Sequence, residues 1–241
     1  MRDVAPPARP WVGRMRWCDL AFLHWPVAPD VVRPLVPSEL RIDTYDGQAW
    51  VGVVPFRMDG VRLRGVPPIP TTYAFPEINV RTYVRGGARA GVWFFSLDAT
   101  SRLAVRGARL LYNLPYYDAE IAITPGADVV HYDSRRVHRD APNAEFRGHY
   151  RAISDVYQAM PGTLDHFLVE RYCMFISDER RGLGVLDIDH PPWPLQHGTA
   201  DIARNTMAQA AGIVLPRGKP IVHFARALEV HAWTRTSLSD L

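Results

Sequence analysis

Residues 77–84 (EINVRTYV) set a carboxylate, an amide, a guanidinium and a phenol at every second position. On an extended chain Glu77, Asn79, Arg81 and Tyr83 share one face, and Ile78, Val80, Thr82 and Val84 share the other. A carboxylate and a guanidinium on one wall can move a proton and hold an anionic or carbonyl oxygen. Period two leaves two arrangements open. Either the polar face meets bulk water, as on any half-buried antiparallel strand, or it lines the inside of a barrel or cone. Asp98 closes the next apolar segment, GVWFFSLD, and Arg109 stands among leucines in ARLLYNLPYY. An arginine in apolar company needs a partner when it is buried. Glu77 or Asp98 would supply one, and at this level both a structural pair and a catalytic pair fit.

The elements that must position these groups are mostly strands. Turn signals recur among 21 prolines and 17 glycines, which favours many short strands over a helix bundle. Strands are expected at 48–56, after the Asp46-Gly47 turn, and at 77–84 and 91–98, joined around Gly86-Gly87. Two more are expected at 108–114 and 119–124, on either side of the Pro115-Tyr116-Tyr117 corner, with one or two in 221–233. Helices are expected at 30–35, at 162–170 with Thr163 as its cap, and at 199–211, where Gly212 follows the end. No repeat, low-complexity block or long linker interrupts the chain. One α+β domain over 1–241 is the economical reading, with 1–14 as a loose N-terminal arm.

Composition narrows the function classes. The chain has 241 residues, 47% hydrophobic and 22% charged, which is enough to build a core. No apolar run reaches the roughly 20 residues that cross a bilayer. Residues 1–17 carry Arg2, Arg9, Arg14 and Arg16 without a continuous apolar stretch, so they do not read as a secretory signal. The formal charge of +3 is spread along the chain, and its one dense cluster (Arg135, Arg136, His138, Arg139) is short. The expectation is a soluble cytoplasmic protein that binds neither nucleic acid nor membrane. Cys18 and Cys173 provide neither a disulfide framework nor metal-ligand spacing, and apolar neighbours make Cys173 an inert thiol. Asp187, Asp189, His190 and His197 form a loose carboxylate and histidine set whose spacing fixes no geometry, so no metal or other cofactor is expected. His24 reads as a satisfied core histidine, and Glu170, Arg171 and Tyr172 as a junction ion-pair cluster. GxGxxG, GxxxxGK[ST], GxSxG and HExxH are all absent.

The segments LAFLHWPV, DGQAWVGVVPF, FPEINVRTYV, GVWFFSLDA, ARLLYNLPYY, FLVERYCMF and HPPWPLQ, in this order, resemble the bacterial YqjF-like family. That family looks related to the acetoacetate decarboxylase-like superfamily. The resemblance implies mainly antiparallel sheet closed into a cone or barrel around a central pocket, a few flanking helices, and assembly as a homo-oligomer. Acetoacetate decarboxylase works through a lysine Schiff base, its amine made reactive by a neighbouring cation. Its lysine follows a Gly-aromatic-Pro corner. The similar corner here is Asn113-Leu114-Pro115, and Tyr116 and Tyr117 stand where lysines would. The sole lysine, Lys219, lies in the turn PRGKP. The resemblance also sets Glu77 at a pocket glutamate and Arg109 near a polar position.

The expectation is an enzyme that acts on a carbonyl- or carboxylate-containing metabolite by acid/base, enol-type chemistry without a Schiff base. Glu77 would be the general acid/base, Arg109 or Arg81 would hold an oxygen, and Tyr116 would donate to a developing oxyanion. Asn79, Arg81, Tyr83, Asp98 and Tyr117 would contact the substrate. Lyase, hydratase, isomerase and cyclase reactions all suit that set. The alternatives are a non-catalytic ligand-binding or sensing protein with the same pocket, or a structural protein with none.

Overall fold

The computed structural model describes residues 5–240. Among these, thirteen strands form one sheet. They are β1 (Gly13–Val27), β2 (Arg41–Ile42), β3 (Ala49–Leu63), β4 (Phe75–Gly86), β5 (Arg89–Ala99), β6 (Tyr116–Pro125) and β7 (Val130–Arg136). There follow β8 (Glu145–Ala152), β9 (Cys173–Asp178), β10 (Gly182–Asp189), β11 (Gln196–Asn205), β12 (Ile221–Ala232) and β13 (Thr236–Ser237). The helices are short: α1 (Pro29–Val32), α2 (Pro70–Tyr73), α3 (Arg102–Tyr112), α4 (Leu164–Val169) and α5 (Met207–Ala210).

The pairings β4–β5 and β10–β12 close the sheet on itself. Strands β1, β3, β4, β5, β9, β10 and β12 thereby make a ring, and β6, β7, β8 and β11 form a second wall tied to it at β5 and β12. Strands β3 and β4 are covered on both faces where they meet the second wall, and residues 49–56 and 77–84 are buried without interruption. This settles the two arrangements left open for EINVRTYV. Ile78 and Val80 pack into a core with Tyr132, Phe146 and Tyr150 of the second wall. Glu77, Asn79 and Arg81 point the other way, into the ring. Tyr132 reaches across and donates its hydroxyl to the Glu77 carbonyl at 2.8 Å.

Local chemistry explains the turns. Asp46 and Gly47 both take positive φ (50° and 75°), the signature of a type I′ turn. Gly87, at φ 59°, turns β4 into β5. Residues 9–12, expected in a loose arm, are fastened to the chain's other end. Trp233 Nε1 donates to the Arg9 carbonyl at 2.7 Å, and the Val12 amide to the Ala232 carbonyl at 2.8 Å. Residues 1–4 of that arm lie outside the described residues.

Two expectations are corrected. Of residues 108–114, expected as a strand, 108–112 belong to helix α3 and 113–114 follow its end. Ser101 caps α3 by accepting from the Ala104 amide, and Asn113 ends it in the left-handed region at φ 51°. Ala104, Ala108 and Tyr112 pack inward at helical spacing, which a seven-residue window read at period two does not reveal. Conversely, residues 199–205 are strand β11, paired with β8, and only Met207–Ala210 are helical. The alternating exposure of QHGTADIARN is a strand pattern.

Candidate active site

The ring encloses a cavity of about 270 Å³. That is below the usual 300–1,000 Å³ of drug-sized pockets. Its walls are mainly apolar, with Trp17, Phe22, Phe56, Leu97 and Trp193 prominent. Trp17 and Trp193 stack at 5.9 Å, and Phe22 meets Trp193 edge-on at 4.9 Å.

The polar groups come from adjacent elements. Alternation on β4 brings Glu77, Asn79 and Arg81 to the cavity, and the corner after α3 brings Tyr116. Tyr116 donates its hydroxyl to Glu77 Oε2 at 2.8 Å. Glu77 is 1% exposed. Burial pushes its carboxyl up from 4.5 to about 7, against the opposing hydrogen bonds from Tyr116 and Asn79, while the Asp98 charge adds to the rise. Near neutral pH, Glu77 therefore populates both protonation states. Tyr116 is itself held well above the usual phenol range, by burial and by the neighbouring Glu77.

Arg81 is the unbalanced charge. It is 9% exposed, and its guanidinium lies over the rings of Phe22 (5.1 Å) and Tyr83 (5.8 Å). Among the described residues it has no carboxylate partner, and its Nε has no acceptor. Trp17 Nε1, Trp193 Nε1 and Asn79 Oδ1 on the same cavity are also buried without partners. Buried polar atoms are nearly always paired, so four unpartnered groups around one cavity are an unusual concentration. Arg171 also lines the cavity, but its charge is balanced: Nη1 donates to Asp43 Oδ2 at 2.7 Å.

The other expected site residues sit elsewhere. Arg109 is exposed on α3 and donates to the Tyr116 carbonyl at 2.7 Å, so it braces the corner without reaching the cavity. The change from strand to helix turns its side chain outward. Asp98 faces away from the cavity and is clamped by Arg136, whose Nε and Nη2 donate to its two oxygens at 2.7 and 2.8 Å. Tyr117 covers that ion pair, with the Arg136 guanidinium 3.9 Å from its ring centre. Tyr83 is fully buried but not part of the cavity wall, and its hydroxyl lies 2.5 Å from His24 Nε2.

Sequence reasoning passed over Trp17, His190 and Trp193 as cavity residues. HPPWPLQ carried the only available signal, a tryptophan and a histidine held by prolines. Asp187, in β10, pairs with Arg89, His190 stacks on Tyr172 at 4.6 Å, and among the described residues Asp187, Asp189, His190 and His197 do not come together as one set. Cys173 is buried, its thiol pushed up to about 11 chiefly by burial, in keeping with an inert role. Lys219 is exposed on an outer groove and does not enter the cavity.

Comparisons with known proteins agree with this architecture. The DUF2071 family, described as an uncharacterized conserved protein (COG2071), matches residues 14–229. YqjF of Bacillus subtilis (strain 168) is 42% identical over 232 residues, covering 96% of this chain and 95% of that protein. An acetoacetate decarboxylase-like enzyme from Sphingomonas wittichii RW1 shares the fold at a TM-score of 0.61 and 12% identity, over 95% of this chain and 94% of its own. The enduracididine biosynthesis enzyme MppR, solved with pyruvate, aligns at a TM-score of 0.62 and 12% identity, over 99% and 93% of the two chains. Acetoacetate decarboxylase from Legionella pneumophila aligns at 0.57 and 14% identity, over 95% and 90%. At such identities the structural likeness establishes an acetoacetate decarboxylase-like fold and leaves the chemistry open. A family match across most of the chain, joined to a relative alike from end to end, makes this protein a member of the DUF2071 family.

Proposed function

We propose that the protein is an enzyme for a small metabolite bearing a carbonyl and a carboxylate, and that it moves a proton through an enol without a lysine Schiff base. One observation carries this reading: Glu77, poised near pH 7, shares a mainly apolar cavity with Arg81, which has no carboxylate partner among the described residues. Arg81 would hold the carboxylate or the enolate oxygen, since a guanidinium stays charged and binds such oxygens in a fork. Glu77 in its ionised form would take a proton from the carbon beside the carbonyl and, once neutral, return it. The Tyr116 proton is already committed to Glu77, so its part is to hold and tune that carboxyl. Pyruvate in the MppR structure is a ligand of the kind this cavity suits.

Calorimetric titration with a panel of small 2-oxo acids and their neutral ketone counterparts tests the binding half. The acids should bind, the ketones should bind more weakly, and Arg81→Met should weaken the acids by about tenfold or more, as loss of a charge-assisted hydrogen bond implies. Equal binding to wild type and Arg81→Met would remove the basis of the proposal.

A further inference from the structure

A second cluster of chemistry-bearing groups lies outside the cavity wall. His197 on β11 and His223 on β12 are direct partners in the sheet, so their side chains leave the same face. Asp165 reaches them from the first turn of α4, whose start Thr163 caps. His223 is fully buried and its Nε2 lies 2.9 Å from Asp165 Oδ1. Tyr157 donates to the other oxygen of Asp165 at 2.8 Å and stacks on His197 at 4.7 Å. One donor atom from each of Asp165, His197 and His223 lies within 4.8 Å of the other two.

We propose that Asp165, His197 and His223 form a binding site for a divalent transition-metal ion of the zinc class, with its fourth position open to water. Two imidazoles and a carboxylate are a donor set that zinc and cobalt accept, and three protein ligands leave one place for an exchangeable ligand. A tetrahedral ion with bonds near 2.0–2.1 Å needs its donors about 3.4 Å apart. Asp165 Oδ1 and His223 Nε2 stand 2.9 Å apart and would open by about 0.5 Å to admit the ion. His197 is exposed, and its ring, stacked on Tyr157, would turn from that contact to close the remaining distance, while its side of the cluster gives the ion a way in. Tyr157 orients the carboxylate from behind, as outer partners of metal ligands do. The ion would tie α4 to β11 and β12. Glu170 follows that helix and Arg171, on the cavity wall, comes next. The site does not depend on the reaction proposed for the cavity.

The test uses the full chain, stripped with a chelator and dialysed against cobalt(II). One cobalt per chain should be retained, with the intense visible absorption of a four-coordinate ion. His197→Ala and Asp165→Asn should each abolish retention, and Tyr157→Phe should weaken it by about 10- to 100-fold. His131→Ala removes an exposed histidine on β7 and should change nothing. The changed side chains are exposed or half-buried, and circular dichroism checks that each variant folds. Failure to retain cobalt would overturn the proposal. So would retention undiminished in both His197→Ala and Asp165→Asn, or retention that is lost with His131.

Discussion

Replacing Glu77 by glutamine should make the protein more stable above neutral pH and leave it nearly unchanged in acid. The glutamine keeps an oxygen that accepts from Tyr116 and removes the ionisation. In the folded chain the carboxyl titrates at about 7, whereas its ordinary value is 4.5. Between those values the folded state holds a proton that the unfolded state has released. Stability must therefore fall as pH rises through this window, by about 1.4 kcal/mol per pH unit for one proton. The accumulated cost is about 3 kcal/mol at pH 8 and close to zero below pH 4.5. Urea unfolding of wild type and Glu77→Gln, taken at intervals from pH 4.5 to 8, measures the difference at each pH, and the contributions of other titrating groups cancel. The two curves should separate in favour of Glu77→Gln as pH rises. Parallel curves would mean that Glu77 titrates like an exposed carboxylate and would refute the reasoning about its burial.

Three further expectations follow from the geometry. Tyr116→Phe removes a hydrogen bond that favours the ionised carboxylate, so the basic form of Glu77 should appear only at higher pH. A pH–rate profile should show its rising limb displaced upward, and an unmoved limb would deny the contact. Asp98→Asn leaves Arg136 as an uncompensated buried charge, with side-chain exposures of 0% and 3% for the pair. This should cost roughly 3–5 kcal/mol in urea unfolding, and a loss below about 1 kcal/mol would contradict the assignment. Borohydride reduction in the presence of 2-oxo acids should trap no adduct, because Lys219 is exposed and away from the cavity. An adduct abolished by Lys219→Ala would contradict this expectation.

The legible part of the site was what one strand carries. Period two in EINVRTYV named Glu77, Asn79 and Arg81 because a pleated strand alternates its faces without help from the rest of the fold. Whether that face met water or a cavity depended on closure of the ring by β9, β10 and β12, far later in the chain. Arg109 was misplaced because its local window fits a strand or a helix, and the deciding Ser101 cap lies outside it. Tyr83 shares the strand face of Arg81, yet it packs against His24 and Arg171 beyond the cavity wall. Period two gives the face of a residue and not how far along the strand the cavity extends. Trp17, His190 and Trp193 come from distant segments, so only ring closure unites them with Glu77. The same holds for His197 and His223, which become neighbours through strand pairing.

Proton exchange at carbon tests the central claim most directly. Each acid of the 2-oxo acid panel is incubated with the protein in deuterium oxide, and loss of the signal from protons beside the carbonyl is followed by proton NMR. At least one acid should exchange faster with wild type than without protein, and Glu77→Gln should slow that exchange by about 10²- to 10⁴-fold. Acids that bind through Arg81 yet exchange no faster with wild type than with Glu77→Gln would contradict catalysis at this carboxyl and leave a binding protein.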